Sequence, residues 1–329
     1  MKKVKLSDIA KRANVTSITV SRALSNPEKV KQKTREKIQK LAQEMGYIPN
    51  MMAKGLKSSS KTIGVIVPTI TNPFFSNAVR VIVNNANKRG YNCLFFTSDE
   101  SAEIEQNAVN TLLSYNVDGV IIGVISEDEN YAPEYFNKLK SFHIPVVLFD
   151  RNIDVPHTCG VYLDNVDSGY KLGKEIMCDD YDDILVVSGS LYSRVANARL
   201  NGLKMAFSEK DKMSKLDIIY ADFNAELSKK LVADFLKKKK PSIIVGLNNQ
   251  ITLGALEACV LNGYVLSVDM KFYSIDEIQT SKNFGVSIPC IKHDIEELGY
   301  QSVTQLIRAI EADECGELSD IIIRGSIAK

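Results

Sequence analysis

The sequence predicts two kinds of structure in one chain: a small all-α domain at the N-terminus, followed by an α/β core of two doubly wound parallel-sheet subdomains. Apolar residues repeat with helical spacing over the first 46 residues, whereas from Thr62 onwards apolar strands alternate with amphipathic helices. The charge changes at the same place, because residues 1–60 hold 14 Lys and Arg against 4 Asp and Glu, and residues 61–329 hold 27 against 36. A basic head on an acidic body indicates that the head alone meets a polyanion.

Length and composition are those of an ordinary soluble protein. The 329 residues suffice for two or three domains, and 45% of them are apolar and 25% charged. No apolar run of signal-peptide length follows the basic N-terminus, and none approaches a membrane span, so we expect a cytoplasmic protein. The six cysteines form no CxxC pair and the three histidines lie far apart, so we expect neither a metal site nor a cofactor.

Three helical stripes fit the N-terminal domain. Their apolar members are Leu6, Ile9, Ala10 and Ala13, then Val20, Ala23 and Leu24, then Ile38, Leu41, Ala42 and Met45. Thr16 can cap the second helix, Asn26–Pro27 ends it, and Gly46 closes the third. Two short helices joined by a tight turn, with a third in support, predict a helix-turn-helix DNA-binding domain over residues 1–49.

The outward side chains of the second helix suit DNA recognition. Ser17, Ile18, Ser21 and Arg22 lie on that face. Arg22 can bind guanine O6 and N7 bidentately, a serine can bond a base edge or a phosphate, and Ile18 can meet a thymine methyl. The alternative is a solvated surface helix, which the basic charge of the domain argues against.

Residues 50–61 predict a hinge. Asn50 can cap a short helix that runs to Lys57, about nine residues long and therefore below the ~12–15 that an isolated helix needs in water. We expect it to order only when DNA and a partner chain hold it. Leu56 would then be free to wedge into a minor-groove base step.

From Thr62 to Lys329 about ten strand-and-helix units follow, too many for one small sheet. Two doubly wound subdomains are therefore expected, with a ligand crevice at the carboxyl ends of the strands. Polar and aromatic side chains stand directly after strand ends: Asn72, Phe74, Phe75, Asp150, Arg151 and Asp164. Two simpler interpretations remain open, namely a turn at Asn72 with one Phe in the core, and an internal ion pair made by Asp150 and Arg151.

The stretches "LSDIAKRANVTSITVSRAL", "TREKIQKLAQEMGYIPNMMAKGL" and "TIGVIVPTITNPFF" resemble the LacI/GalR family of bacterial transcription regulators, and the likeness extends over essentially the whole chain. The resemblance implies a periplasmic-binding-protein-like core whose chain crosses three times between subdomains. Residues 62–161 and 291–318 would form the first subdomain, and residues 162–290 and 319–329 the second. It also implies a hinge helix that pairs with that of a dimer mate.

The resemblance extends the predicted DNA contacts beyond the second helix, to Lys31, Thr34, Asn50, Ala53, Lys54 and Leu56. Two of these depart from the family pattern. Lys31 stands where the family usually has Ser, which removes a helix cap and adds a charge that can meet a phosphate. Lys54 stands where Arg is common, which weakens a bidentate minor-groove contact.

Three further cleft residues come from the resemblance. Arg199 matches the family's effector-binding arginine, with Arg194 as a competitor, and Asp276 matches a position that takes sugar hydroxyls. Asn249 stands where many sugar-responsive members have Asp, so it can also donate to a base or a phosphate. Acids, amides and Arg around an aromatic side chain suit a polyol.

These observations predict a repressor that binds a palindromic operator as a homodimer and responds to a small molecule, a sugar or sugar derivative. A corepressor or a protein partner in the cleft is the alternative. We expect no enzyme and no exported binding protein, because no GxSxG, P-loop or HExxH motif occurs and export would leave the basic head without a purpose. The run Lys237–Lys240 is expected to be a solvated helix end rather than a second nucleic-acid site.

Overall fold

The fold comes from a computed structural model, which describes residues 4–47, 60–128, 131, 133–156, 158–179, 183–210, 216–266, 268–278, 285, 287–312 and 319–329. The chain divides into two compact units, residues 1–58 and 59–329. The predicted hinge contacts Asn50, Ala53, Lys54 and Leu56 lie outside the described residues.

The N-terminal unit holds α1 (Leu6–Ala13), α2 (Ser17–Ser25), a 3₁₀ turn (Pro27–Lys29) and α3 (Gln32–Glu44). The three predicted helices and their order are thus confirmed. Asn14 ends α1 in the left-handed conformation (φ 58°), which a short polar side chain tolerates. The Thr16 hydroxyl accepts the Thr19 N–H at 3.2 Å and caps α2.

One small core holds these helices together. Ile9, Val20, Ala23 and Ile38 are each fully buried. The Lys37 ammonium donates to the Ala13 carbonyl at 3.0 Å, which satisfies an acceptor at the C-terminal end of α1. The opposite face of α2 is left to solvent.

The C-terminal unit alternates strands and helices. Its first half comprises β1 (Thr62–Val67), α4 (Pro73–Lys88), β2 (Asn92–Thr97), α5 (Ala102–Ser114), β3 (Gly119–Ile122), α6 (Tyr135–Ser141), β4 (Val146–Phe149) and β5 (Cys159–Leu163). Its second half comprises α7 (Asn165–Ile176), β6 (Ile184–Ser188), α8 (Arg194–Ser208), β7 (Leu216–Tyr220), α9 (Ala225–Leu236), β8 (Ile243–Gly246), α10 (Asn249–Leu261), β9 (Lys271–Ile275), β10 (Cys290–Lys292), α11 (Ile295–Ala312), β11 (Ile321–Ile323) and β12 (Ser326–Ala328).

These strands form two six-stranded sheets. The first has the order β11-β5-β4-β3-β1-β2 and the second the order β12-β10-β9-β8-β6-β7. All pairings are parallel except that of β10 with β12. Two doubly wound parallel sheets are what the sequence predicted.

The chain crosses between the sheets after β5, after β10 and after β11, so the predicted bounds need two corrections. β10 reaches Lys292 within the second sheet, although the first subdomain was expected to resume at residue 291. Ile321–Ile323 was assigned to the second subdomain, yet it pairs with Val161–Leu163 in the first sheet. The reason is that β5 would otherwise expose an unpaired edge, which β11 covers.

The second subdomain relies on one very close helix contact. A side-chain carbon at Gly169 of α7 would lie 1.9 Å from the Arg199 carbonyl oxygen, and one at Gly202 of α8 would lie 2.0 Å from the Val166 carbonyl oxygen. Glycine at both positions lets the two backbones touch. This contact fixes where α8 presents Arg199.

Candidate functional site

The exposed face of α2 carries the predicted base-reading residues. Ser17, Ile18, Ser21 and Arg22 are all exposed, and Ile18 retains 64% of its accessible surface. A large apolar side chain held this far out of the core adds nothing to the folding of its own domain. Lys31 is also exposed, and Thr34 is half-buried on α3.

A cavity of about 710 Å³ lies at the carboxyl ends of the strands of the C-terminal unit. The loops that line it follow β1, β2, β3 and β4 of the first sheet and β6, β7, β8 and β9 of the second. This is the crevice in which open parallel sheets bind ligands. Seven of the nine predicted effector residues line it: Asn72, Phe74, Phe75, Asp150, Arg151, Arg199 and Asp276.

The loop after β1 supplies an amide and two rings. The Asn72 side chain accepts the Phe74 N–H at 3.0 Å, so it caps α4. Phe74 and Phe75 meet edge to face with their ring centroids 5.0 Å apart, and each is only 6% exposed. The turn and the core packing that the sequence left open as alternatives are therefore both present, and the two rings nevertheless line the cavity.

Asp150 and Arg151 follow β4 but do not pair with each other. Arg151 forms a fork with Glu100, with N–O distances of 2.8 and 2.7 Å, and also donates to the carbonyls of Val124 and Ile125. Asp150 lies 8% exposed, with a left-handed backbone (φ 66°). Burial raises the pKa of the Asp150 carboxyl to about 7, helped by nearby carboxylates and opposed by nearby arginines.

Asp276 follows β9 on the opposite wall and is surrounded by partners. Its carboxylate lies 3.5 Å from the Arg199 guanidinium and 2.8 Å from His293 Nδ1. Burial opposes its ionisation, but the charges and hydrogen bonds of Arg199 and His293 outweigh burial, so the pKa of Asp276 lies below its ordinary value. Arg199 also donates to Asn165 Oδ1 and to the Leu247 carbonyl, both at 2.8 Å.

The other two predicted effector residues lie outside this cavity. Asp164 caps α7 by accepting the Asp167 N–H at 3.0 Å. Asn249 lines a neighbouring cavity of about 490 Å³. Its amide donates to Asn72 Oδ1 at 3.0 Å and so joins the two subdomains, while its own carbonyl oxygen is buried without a partner among the described residues.

Glu127, which sequence reasoning missed, makes a second bond across the cleft. It follows β3 in the first subdomain and is 6% exposed. Its carboxylate accepts the Asn152 N–H at 3.2 Å and, from the other subdomain, the Val195 N–H at 3.1 Å. The Val195 amide belongs to the first turn of α8, where the helix dipole favours a negative charge.

The cavity has further walls that the sequence analysis did not name. They include Asp99, Tyr192, Asp222, Phe223, Asn248 and Gln250. All of them follow a strand end, so the rule that selected Asp150 would have selected them too. The described residues contain no cluster of metal-ligating side chains, and no described helix is long and apolar enough to cross a membrane.

Within the part of the chain that the structure describes, the basic run behaves as expected of a solvated helix end. Lys237 pairs with Asp234, and Lys240 with Asp269. Lys239 lies 2.8 Å from both Asp183 and Asp217. Neighbouring acids thus neutralise much of the run, which makes it a poor site for nucleic acid.

A helix-turn-helix head on a two-sheet core with a cleft defines a DNA-binding transcription regulator. The sequence pattern of the bacterial regulatory proteins of the lacI family matches residues 5–50, and that of the periplasmic binding protein domain matches residues 63–313. The chain belongs to the lacI family of regulators.

Relatives and solved structures agree with this assignment. The chain is 29% identical to the regulator MalR of Clostridium butyricum over 97% of this chain and 96% of the relative. It is 26% identical to the repressor PurR of Actinobacillus pleuropneumoniae serotype 3 (strain JL03), covering 94% and 92%. The crystal structure of the lac repressor dimer bound to operator and the anti-inducer ONPF has the same fold, with a TM-score of 0.85, 24% identity, and coverage of 100% and 98%.

Proposed function

We propose that this regulator is a repressor that binds a palindromic operator as a homodimer, and that a small polyhydroxylated molecule, a sugar or sugar derivative, changes its operator affinity from the cleft. It acts on the bacterial nucleoid in the cytoplasm, where operator DNA lies. The observation that carries the proposal is the presence, in one chain, of an exposed α2 face and a polar cavity at the strand ends.

The DNA half of the proposal gives each side chain a task. Arg22 reads a guanine, Ser17 and Ser21 bond base edges or phosphates, and Ile18 covers a thymine methyl. Lys31 and Thr34 contact phosphates, which set the position of the head without reading sequence. The hinge residues Asn50, Ala53, Lys54 and Leu56 follow the minor groove.

A matched pair of variants tests the DNA half. Arg22→Ala should weaken the cognate operator by roughly 1–3 kcal/mol and relax one base position. Lys31→Ala should weaken cognate and scrambled sites alike and make the salt dependence shallower by about one unit per head. Site selection and binding titrations in several salt concentrations measure both effects. An equal loss on every sequence for Arg22→Ala would contradict base reading.

The wild-type salt dependence is a separate check of the dimer. If each of two heads neutralises about four phosphates, log K should fall with log salt with a slope of roughly −7. A slope shallower than about −3 contradicts this proposal.

An apolar stripe on α10 supports the homodimer. Leu253, Val260 and Leu261 share one helix face and are 43%, 55% and 70% exposed, and Val265 and Val268 in the loop that follows are 59% and 80% exposed. Contiguous exposed apolar surface marks an interaction site. Leu261→Asp should therefore shift the sedimentation of the protein towards the monomer, whereas Phe142→Asp, which changes an equally exposed ring elsewhere, should not.

The cleft half is tested on operator binding itself. Carboxylates and amides beside buried rings suit a ligand that offers several hydroxyls. A compound that raises the melting temperature of the full chain should also change operator affinity, and Phe75→Ala should weaken both effects together. A compound that binds equally well to this variant would be bound outside the cleft. The sign of the change tells an inducer from a corepressor.

A further inference from the structure

The charge of the cleft is strongly one-sided. Among the residues that the structure describes, seven carboxylates line the cavity against two guanidinium groups. A low-dielectric cavity with one sign of charge concentrates ligands of the opposite sign. The walls therefore already disfavour a phosphate or a carboxylate as ligand.

The two guanidinium groups are largely committed to the protein. Arg151 binds Glu100 with both terminal nitrogens and donates to two carbonyls. Arg199 binds Asn165, the Leu247 carbonyl and the Asp276 carboxylate. Neither offers an unneutralised fork of the kind that recognises an anionic group.

Helix N-termini, the other common source of anion sites, are occupied as well. Four helices contribute residues to the cavity lining, and protein side chains accept N–H groups of their first turns: Asn72 for α4, Ser193 and Glu127 for α8, Asn224 for α9 and Asn248 for α10. An anion would have to displace these acceptors before it could use the helix dipole.

Asp150 is a buried carboxylate that lacks a hydrogen-bond donor among the described residues. It is more than nine-tenths buried and lines the cavity, yet no described residue donates a hydrogen bond to its carboxylate. Burial opposes the ionisation of Asp150 and raises its pKa; the charges of Arg151 and Arg199 favour ionisation, and those of Glu127 and Asp276 oppose it. A buried carboxylate in this position is stabilised by a ligand that brings a positive charge and an N–H donor.

We propose, building on the effector function above, that the effector is a small organic cation whose protonated amine binds Asp150 while its hydroxyl groups or carbon skeleton contact the rest of the cleft. Phe74 and Phe75 line the same cavity and offer aromatic surface, which favours a cation as well. A metal ion fits less well, because the described residues hold no cluster of metal-ligating groups.

Two matched series test the charge of the ligand on the full-length protein at pH 7.5. One is glucosamine, glucose and glucose 6-phosphate, and the other is glucamine, sorbitol and sorbitol 6-phosphate. Calorimetry should give an amine that binds about tenfold or more tightly than its neutral counterpart, the range of a hydrogen bond to a charged group. The phosphate should bind most weakly.

Variants then test whether Asp150 is the residue that recognises the charge of the ligand. Asp150→Asn should abolish the preference for the amine over its neutral counterpart. Glu226→Gln should retain the preference, because Glu226 lines the same cavity but its side chain is 77% exposed and paired with Lys229. The preference for the amine over its neutral counterpart is measured on the wild-type protein. It can therefore be observed even if Asp150→Asn folds poorly.

Several outcomes would overturn the inference. They are a neutral compound that binds as tightly as its amine, a phosphate that binds most tightly, no binding by either amine, and a preference that survives Asp150→Asn. In the first two cases, loss of binding in Phe75→Ala would leave the effector cleft standing and remove only the cationic ligand. Binding that Phe75→Ala leaves unchanged would count against the cleft itself.

Discussion

Two aspartates on opposite walls of the cleft occupy matching positions and have opposite properties. Asp150 follows β4 and Asp276 follows β9, each the first residue after its strand, with φ of 66° and 69°. They are 8% and 9% exposed. Burial raises the pKa of Asp150 to about 7, whereas the pKa of Asp276 lies below its ordinary value although it is equally buried.

The difference lies in the partners that each subdomain supplies. Arg199 and His293 face Asp276, and both are themselves held by further bonds, His293 by Ser168 at 3.0 Å and Arg199 by Asn165 at 2.8 Å. On the other wall Arg151 is bound to Glu100 instead of Asp150. Burial alone therefore does not set the state of a cleft carboxylate. The carboxylate of the second wall has partners within the protein, whereas that of the first wall has none among the described residues.

The largest expected effect on stability comes from removing the carboxylate charge of Asp276 in the second wall. Asp276→Asn should lower the free energy of unfolding of the core by about 3 kcal/mol, because it leaves the buried Arg199 charge without its counter-ion. Urea unfolding of the full chain at pH 7.5, followed by circular dichroism, measures this loss. Asp150→Asn is the control with the same chemical change at the matching position, and equal losses in the two variants would show that the walls do not differ.

Because Asp150 lacks a partner in the first wall, its replacement is expected to raise the free energy of unfolding. At pH 8 Asp150→Asn should stabilise the ligand-free core by about 2 kcal/mol. The rise in the pKa of Asp150 from 3.8 to about 7 sets a ceiling of about 4 kcal/mol. Burying the amide in place of the carboxyl offsets part of that gain.

The sign of the pH dependence follows from the two pKa shifts. Below the unfolded pKa, 3.8, both states of Asp150 hold the proton and the wild-type side chain carries no penalty. As the pH rises through about 7, the folded state must ionise a carboxyl that the unfolded state ionised earlier, so this stability is lost. Asp276 behaves in the opposite way, because its contribution is present above the unfolded pKa and lost as the pH falls. In unfolding from pH 3 to 8, the gain of Asp150→Asn over wild type should therefore be negligible at pH 3 and grow as the pH rises, whereas the loss in Asp276→Asn should shrink as the pH falls.

The sequence predicts the fold because the relevant signals are local. Helical stripes, the Thr16 cap and the alternation of strands are each readable within about 15 residues, and the structure reproduces them. Short edge strands were not recognised, since β10, β11 and β12 have three residues each.

The sequence predicts where the cleft lies, but it does not predict which hydrogen bonds and ion pairs its residues form. Its walls follow strand ends, a rule the sequence shows, and seven of the nine predicted effector residues lie there. The partners are non-local: Glu100 is 51 residues from Arg151, and Glu127 is 68 from Val195. Asp164 obeys the same rule as Asp150, yet its carboxylate caps a helix. No local pattern distinguishes a cap from a cleft residue.

Glu127 is a carboxylate of the first wall that does have hydrogen-bond partners. Its replacement measures how much one bond across the cleft contributes to holding the two subdomains together. Glu127→Gln keeps the shape but places an uncharged group at the first turn of α8, so the cross-cleft bond should weaken by about 1–2 kcal/mol. Hydrogen exchange should speed up by roughly 5–30-fold at the peptide that contains Val195. A peptide from α10 in the same protein is the internal control. Unchanged exchange at Val195 would mean that the bond does not hold the two subdomains together.

The smallest expected effect on stability comes from a comparison of two hydrogen bonds of Asn72, one within its own wall and one across the cleft. Asn72→Ala removes both the cap on Phe74 N–H and the bond from Asn249, and should cost about 1 kcal/mol, the usual value for a lost N-cap. Asn249→Ala removes the bond between the two side chains and keeps the cap, and it also removes a buried carbonyl oxygen that lacks a partner in the described residues.

The gain and the loss in Asn249→Ala should nearly cancel, which leaves a change within about 0.5 kcal/mol. Urea unfolding of the two single variants and the double variant measures these values, and the double variant should resemble Asn72→Ala. If Asn249→Ala proves the more damaging, the contact across the cleft contributes more than the cap within one wall. The two walls would then be a single unit, and the contrast between Asp150 and Asp276 would have to be explained by the whole cleft rather than by the partners that each wall supplies.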